Sequence, residues 1–151
     1  MEKRVYSIGY ERRTLSEFIR VLREQGVKRV ADLRNSPYSR IEGFSAKELA
    51  RALTHEGVEY RNFIVLGAPR KLRERSDTMG HDEFMKAYRQ HFEKYAGDYG
   101  LLKEYLGDDG GAIMCLERDS RECHRRVVEE ELRKDGYQVV AVGDEVHRVW
   151  F

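Results

Sequence analysis

Cysteine and proline are nearly missing from this 151-residue chain, with two of each. Two cysteines exclude a disulfide scaffold, and so few prolines leave no Pro-rich linker between domains. No apolar run approaches the roughly 20 residues that cross a bilayer, so no membrane partner is expected. An excess of one charge is missing too: 28 Lys+Arg face 27 Asp+Glu, for a formal net charge of +1. That balance excludes a generic nucleic-acid coat, and any nucleic-acid contact must come from a local patch. Asn and Gln total five, while 20 of the 28 basic residues are Arg. Dense charge with few thermolabile amides is a hyperthermophile tendency. The opening MEKRVYSIGY passes straight from charges into a strand-like run, so no secretory leader is expected and the cytoplasm is the expected compartment.

What is present is 40% apolar and 36% charged residues, a globular balance with an ionic surface. The length suits one α/β domain over residues 1–151. The hydrophobic period switches repeatedly between strand and helix. Arg4–Gly9 reads as a first strand. Thr14-Leu-Ser-Glu17 fits a capping box opening a helix, with Leu15, Phe18, Ile19 and Leu22 on one face and Gly26 as its left-handed end. Val30–Leu33 is a second strand. Ser45-Ala-Lys-Glu48 repeats the box, Ala46, Leu49, Ala50 and Leu53 form the face, and Gly57 ends that helix. Val58–Phe63 is a third strand, and residues 64–80 read as a long loop containing Pro69. One or two helices fill 81–106. Ala112–Leu116 is a continuous apolar strand after a Gly110-Gly111 turn. A helix from about Ser120 to Lys134 ends at Gly136, Tyr137–Val142 is another strand, and Val146–Phe151 reads as a short edge strand.

Strands alternating with helices predict a three-layer α/β fold, a mainly parallel sheet with helices on both faces. In such sheets ligands bind beyond the carboxyl ends of the strands. The segments there are Gly9-Tyr-Glu11, Arg34 to Arg40, the 64–80 loop, and Glu117-Arg-Asp119 leading into Cys123-His-Arg-Arg126. Parallel strands would bring all four to one rim.

Ser7-Ile-Gly-Tyr-Glu11, Asp32-Leu-Arg-Asn-Ser-Pro37, Gly43-Phe-Ser45, Gly57-Val-Glu-Tyr60, Cys115-Leu-Glu117 and Cys123-His-Arg125 occur in order. Together they resemble the prokaryotic domain-of-unknown-function family numbered 488, from about Tyr6 to Val142. The resemblance implies a three-layer α/β fold and no particular reaction. Leu116 departs from the pattern, standing where the family usually has the small residue of Cys-Ala-Glu.

Each rim residue carries a bland reading and a chemical one. Cys115 reads first as a small buried hydrophobe. Cys123, placed in the first turn of a helix beside His124, Arg125 and Arg126, is either an inert thiol or a nucleophile whose thiolate the helix start favours. His124 shares a stripe with Val128 and Leu132, which aims it at the sheet as a structural histidine or a general base. Glu117 follows an apolar strand directly and suits a general acid or base. Arg34 either pairs with Asp32 or holds a phosphate or carboxylate, and Arg125 suits an anion at the helix start. Tyr10, Glu11 and Tyr38 suit stacking on or hydrogen bonding to a ligand. Arg70, Lys71 and Arg73 form a basic run that reads as solvated surface or as a nucleic-acid contact.

Three sharper motifs are set aside. Cys115 and Arg121 match the C-x5-R spacing of phosphatase loops, but Glu117 and Asp119 lie inside it. Cys115, Glu117, Cys123 and His124 match no common zinc spacing, and Cys123 and His124 would diverge by about 100° on a helix, so no metal is expected. Gly110-Gly111 precedes a strand and is no nucleotide fingerprint. The leading expectation is an enzyme, a hydrolase or transferase without a cofactor. Its substrate would be a nucleotide, a small phosphorylated ligand or a nucleic-acid derivative. A non-catalytic nucleic-acid or nucleotide-binding module and a thiol-based redox protein are the alternatives.

Overall fold

A computed structural model describes residues 2–142, and the expected edge strand Val146–Phe151 lies outside them. Five strands, β1 (Lys3–Gly9), β2 (Arg29–Asp32), β3 (Glu59–Asn62), β4 (Gly111–Cys115) and β5 (Tyr137–Ala141), form one sheet. Their order is β3-β2-β4-β1-β5 and every pairing is parallel. Among the described residues six α-helices accompany them: α1 (Leu15–Glu24), α2 (Ala46–His55), α3 (Arg70–Glu74), α4 (His81–Glu93), α5 (Ala96–Leu106) and α6 (Arg125–Lys134). Among the described residues no helix is long and apolar enough to cross a membrane.

Strand direction explains the layers. The chain steps from β1 to β2 to β3 toward one edge, then returns to β4 and on to β5 at the other. Right-handed crossovers in opposite directions place their helices on opposite faces. One apolar core accordingly joins Phe18 and Leu22 of α1 and Leu49 and Leu53 of α2 to Ile8, Ala112 and Met114. The other joins Tyr88, Leu102, Leu106, Val128 and Leu132 to Val5, Ala31 and Ile113. Alternate residues of β4 thus serve opposite cores, as strand pleating requires. All five of its residues are buried, which is why that stretch reads as continuous apolar sequence.

Three local expectations are corrected. Thr14 does cap α1, accepting from the Glu17 amide at 3.1 Å, but Ser45 makes no such bond to α2. Its hydroxyl instead joins Ser39, accepting from the amide and donating to the carbonyl, so it closes the preceding loop. The 64–80 segment is not an open loop. Ile64–Leu66 forms a 3-10 turn and α3 follows; the turn is held from α4, where the Tyr88 hydroxyl donates to Leu66 O at 2.5 Å and His91 Nε2 meets Val65 O at 2.7 Å. The predicted helix at 120–134 is divided: Ser120–Glu122 is a 3-10 turn, Cys123 is extended (φ −129°, ψ 148°), and α6 begins at Arg125.

Candidate active site

β1 and β4 are neighbours whose following chains leave in opposite directions, and the crevice beyond their carboxyl ends is where open parallel sheets bind ligands. Here the crevice is a cleft of about 180 Å³. Tyr10 contributes from behind β1, and Arg34, Asn35, Ser36 and Tyr38 from behind β2. Cys115, Leu116 and Glu117 come from the end of β4, Cys123 and His124 from the entry to α6, and Arg73 and Phe84 from the 64–84 region. Two glycines let the segments meet. A Cβ on Gly9 would lie 1.9 Å from the Glu117 carbonyl oxygen, and one on Gly67 would lie 2.1 Å from the Asn35 amide nitrogen. Neither position admits a side chain without moving a cleft wall.

The floor holds two thiols and an imidazole. Cys115, Cys123 and His124 are all buried, and the two sulfurs and a ring nitrogen of His124 lie within 4.8 Å of one another. His124 Nε2 sits 2.7 Å from the carbonyl oxygen of Leu33. A carbonyl can only accept, so Nε2 carries a proton and donates it there. Nδ1 of His124 faces Cys123 Sγ at 3.5 Å. The same sulfur accepts the backbone N–H of Arg125 at 3.4 Å, taking up one of the unpaired amides at the start of α6. The Tyr88 ring packs against the imidazole, with centroids 5.0 Å apart, and burial pushes the Tyr88 hydroxyl well above its ordinary range. Burial, with the contact to Cys123, likewise pushes the Cys115 thiol well up. The two cysteines thus differ: one is a thiol held neutral, the other a sulfur facing an imidazole and a helix start.

The extended backbone of Cys123 also overturns the geometric argument against a metal at these residues. Cys123 and His124 do not diverge as two helical residues would, and their donor atoms converge with Cys115.

Both candidate anion-binding arginines are engaged by the protein. Arg34 is 7% exposed, and its Nε and Nη2 bind the Asp32 carboxylate, with Nη2 at 2.7 Å. Its Nη1 donates to Phe44 O at 2.6 Å and to the Tyr10 hydroxyl at 3.3 Å. Burial works against the guanidinium charge, but Asp32 outweighs it and holds the pKa above the ordinary arginine value. Arg34 lines the cleft as a mostly satisfied wall. Arg125, 1% exposed, lies beneath the floor and not on the rim. Its Nη1 donates to Ile8 O at 2.6 Å and to Cys115 Sγ at 3.3 Å. Its charge is met by Glu129, 4.0 Å away and one helical turn on. Glu129 in turn accepts from the Ser7 hydroxyl and, at 2.9 Å, from Ser120. Ser7 and Glu129 were not among the sequence candidates. A carboxylate four residues after Arg125, on the side of α6 that meets the sheet, is the signal that marks this buried pair.

The remaining candidates separate. Glu117 is half-buried on the cleft wall. Tyr38, 83% exposed, stands at the mouth. Glu11 turns away, accepting from the Arg118 amide at 3.3 Å and so tying the β1 and β4 loops together. Of the basic run, Arg73 reaches the cleft, with its Nε on Ala68 O at 3.1 Å. Arg70 pairs with Glu74 at 2.9 Å, and Lys71 is exposed on α3.

A family model described as Domain of unknown function DUF488 matches residues 14–132. No curated protein and no solved structure matches the chain.

Proposed function

Because the chain belongs to this family of unknown function, we propose a role from the chemistry of the cleft: a thiol-dependent hydrolase or transferase in which Cys123 is the nucleophile. The observation that carries this reading is the contact between Cys123 Sγ and Nδ1 of His124, 3.5 Å, with Nε2 committed to Leu33 O. That commitment leaves the Nδ1 lone pair facing the sulfur, the arrangement by which an imidazole takes a thiol proton. The Arg125 amide, at the start of a ten-residue helix, then faces the sulfur anion.

In the reaction, Cys123 Sγ gives its proton to His124 Nδ1 and attacks an electrophilic carbon of the substrate. A sulfur–carbon bond forms as the bond to the leaving group breaks. Glu117, on the cleft wall, gives a proton to the departing group and takes one back from the water or second acceptor that attacks the adduct, as the sulfur–carbon bond breaks and the sulfur recovers its proton from His124 Nδ1. Arg34 and Tyr10 shape the wall. Arg73, the cation at the mouth, and the exposed ring of Tyr38 suit an anionic ligand with a flat group, which favours a nucleotide or nucleic-acid fragment. The same two residues favour, as a second reading, retention of nucleic acid without turnover.

The test is a thermal-shift panel of nucleotides, nucleosides, sugar phosphates, short DNA and short RNA, with inorganic phosphate as control, on wild type and Cys123→Ser. A specific ligand at 100 times its Kd stabilises the native state by about 2.7 kcal/mol. One class should stabilise both proteins, and only wild type should turn it over. Binding without turnover in either protein supports the second reading. No stabilisation by any class contradicts both.

A further inference from the structure

We infer that Cys115, Cys123 and His124 form a binding site for a single borderline-soft metal ion of the zinc type, and that filling it silences the nucleophile. The inference rests on the reading of Cys123 given above and adds a ligand and a means of control to the same site.

The donor set fits in kind and in spacing. Two thiols and an imidazole are the ligands zinc prefers, and three protein ligands with one open position is a recurrent zinc arrangement. Tetrahedral zinc with bonds of about 2.3 Å to sulfur and about 2.0 Å to nitrogen sets those two ligands about 3.5 Å apart and two sulfurs about 3.8 Å apart. Cys123 Sγ and His124 Nδ1 lie 3.5 Å apart already, and all three donors fall within 4.8 Å. Closing the set needs side-chain adjustment of about an ångström at Cys115, with no change in the backbone order.

The surroundings match as well. A metal-binding histidine normally donates its other ring N–H to a carbonyl or carboxylate, which fixes the tautomer. His124 does so through Nε2 to Leu33 O. Each sulfur has a further N–H donor, Arg125 Nη1 for Cys115 and the Arg125 amide for Cys123. Charge balances too: two thiolates and the Glu129 carboxylate against a divalent ion and the Arg125 guanidinium leave no net charge in a buried site. All three residues line the cleft, so the fourth position is supplied from that side.

Metal binding and nucleophilic attack exclude each other, because both need the Cys123 sulfur and the lone pair of His124 Nδ1. Binding releases the thiol protons to solvent, and the ion then occupies the place where the substrate's reactive atom would sit. The thiols are not oxidised and no electron is transferred.

The experiment uses chelator-stripped full-length protein under reducing conditions, titrated first with Co²⁺ and then with Zn²⁺. Expected are one Co²⁺ per chain with a thiolate-to-cobalt charge-transfer absorption, displacement of Co²⁺ by Zn²⁺, and at least a tenfold fall in the iodoacetamide alkylation rate of Cys123 in the zinc form. Cys123→Ser and His124→Gln should each abolish the charge-transfer band while keeping the far-ultraviolet circular dichroism of wild type. A Cys115→Ser protein, should it fail to fold, is not needed for the decision. Absence of the band in wild type, or unchanged metal uptake in Cys123→Ser, overturns the inference, the latter by showing that other side chains hold the ion. If Cys123 in the metal-free protein does not alkylate, the nucleophile reading fails, and the cobalt band still decides whether a metal binds.

Discussion

His124 Nε2 and the carbonyl oxygen of Leu33, ninety-one residues earlier, are 2.7 Å apart. This bond joins the entry of α6 to the end of β2 and orients the imidazole so that its other nitrogen meets Cys123. Because the partner is a backbone carbonyl, this hydrogen bond depends on sheet topology, and the Tyr88 ring packs against the same imidazole. The bond forms only if β2 and β4 are neighbours, as they are.

The Asp32–Arg34 pair is held to be structural. With exposures of 0% and 7%, removing one partner strands a buried charge. Arg34→Ala should cost about 3–5 kcal/mol, whereas replacing both partners by apolar residues of similar volume should restore much of that loss. Urea denaturation of the single and double variants checks this. A loss below 1 kcal/mol for Arg34→Ala would instead mark the arginine as free to bind ligands.

Stability should fall at alkaline pH on account of Cys115. Its folded-state pKa is raised by burial, so its contribution is fully present below the unfolded thiol value of about 8.5 and is lost as pH rises toward the folded value. Over that window wild type should lose at most about 1.4 kcal/mol per pH unit from this group. Denaturation of Cys115→Ala across the same range should give a shallower decline. Parallel curves would contradict the assignment.

Gly9→Ala should damage the cleft more than the fold. Its Cβ would lie 1.9 Å from the Glu117 carbonyl oxygen, so the Glu117 segment must shift, at a cost of about 1–3 kcal/mol. Ligand stabilisation in the thermal-shift panel should vanish while the protein still folds. An unchanged panel would show that the Glu117 wall does not bear on binding.

Arg73 should matter more than its basic neighbours. Arg73→Glu should weaken binding of any phosphorylated ligand, whereas Arg70→Glu and Lys71→Glu should affect only long nucleic acids. For single-stranded nucleic acid, each lost phosphate contact lowers the salt slope by about 0.7. Affinities at several salt concentrations separate the cases, and equal effects from all three residues would place the anion on α3 and away from the cleft.

The alternating strands and helices and the shared rim were legible in the sequence, because periodicity and parallel topology are local and general rules. The entry to α6 was not. Residues 120–134 suit a helix throughout, and the break at Cys123 comes from tertiary contacts, the Ser120 hydroxyl on Glu129 and the imidazole on Leu33. That break brings the thiols and imidazole together. Arg125 was expected at the rim for the same reason: on a helix starting near Ser120 it sits to one side, whereas in the actual geometry it runs beneath β1 to Ile8 O. Cys115 was legible as a buried residue, but its nearness to Cys123 depends on the same turn. The 3-10 turn that opens the 64–80 segment is tied to Tyr88 and His91 of α4, contacts that no local pattern announces.

The most direct test is the rate at which iodoacetamide modifies each cysteine in the native, metal-free protein at neutral pH, followed by mass spectrometry. Cys123 should react first, its rate should fall in His124→Gln, and Cys115 should stay unmodified until the protein unfolds. Equal rates at the two cysteines, or a Cys123 rate indifferent to His124, would reduce the pair to core packing and contradict the account.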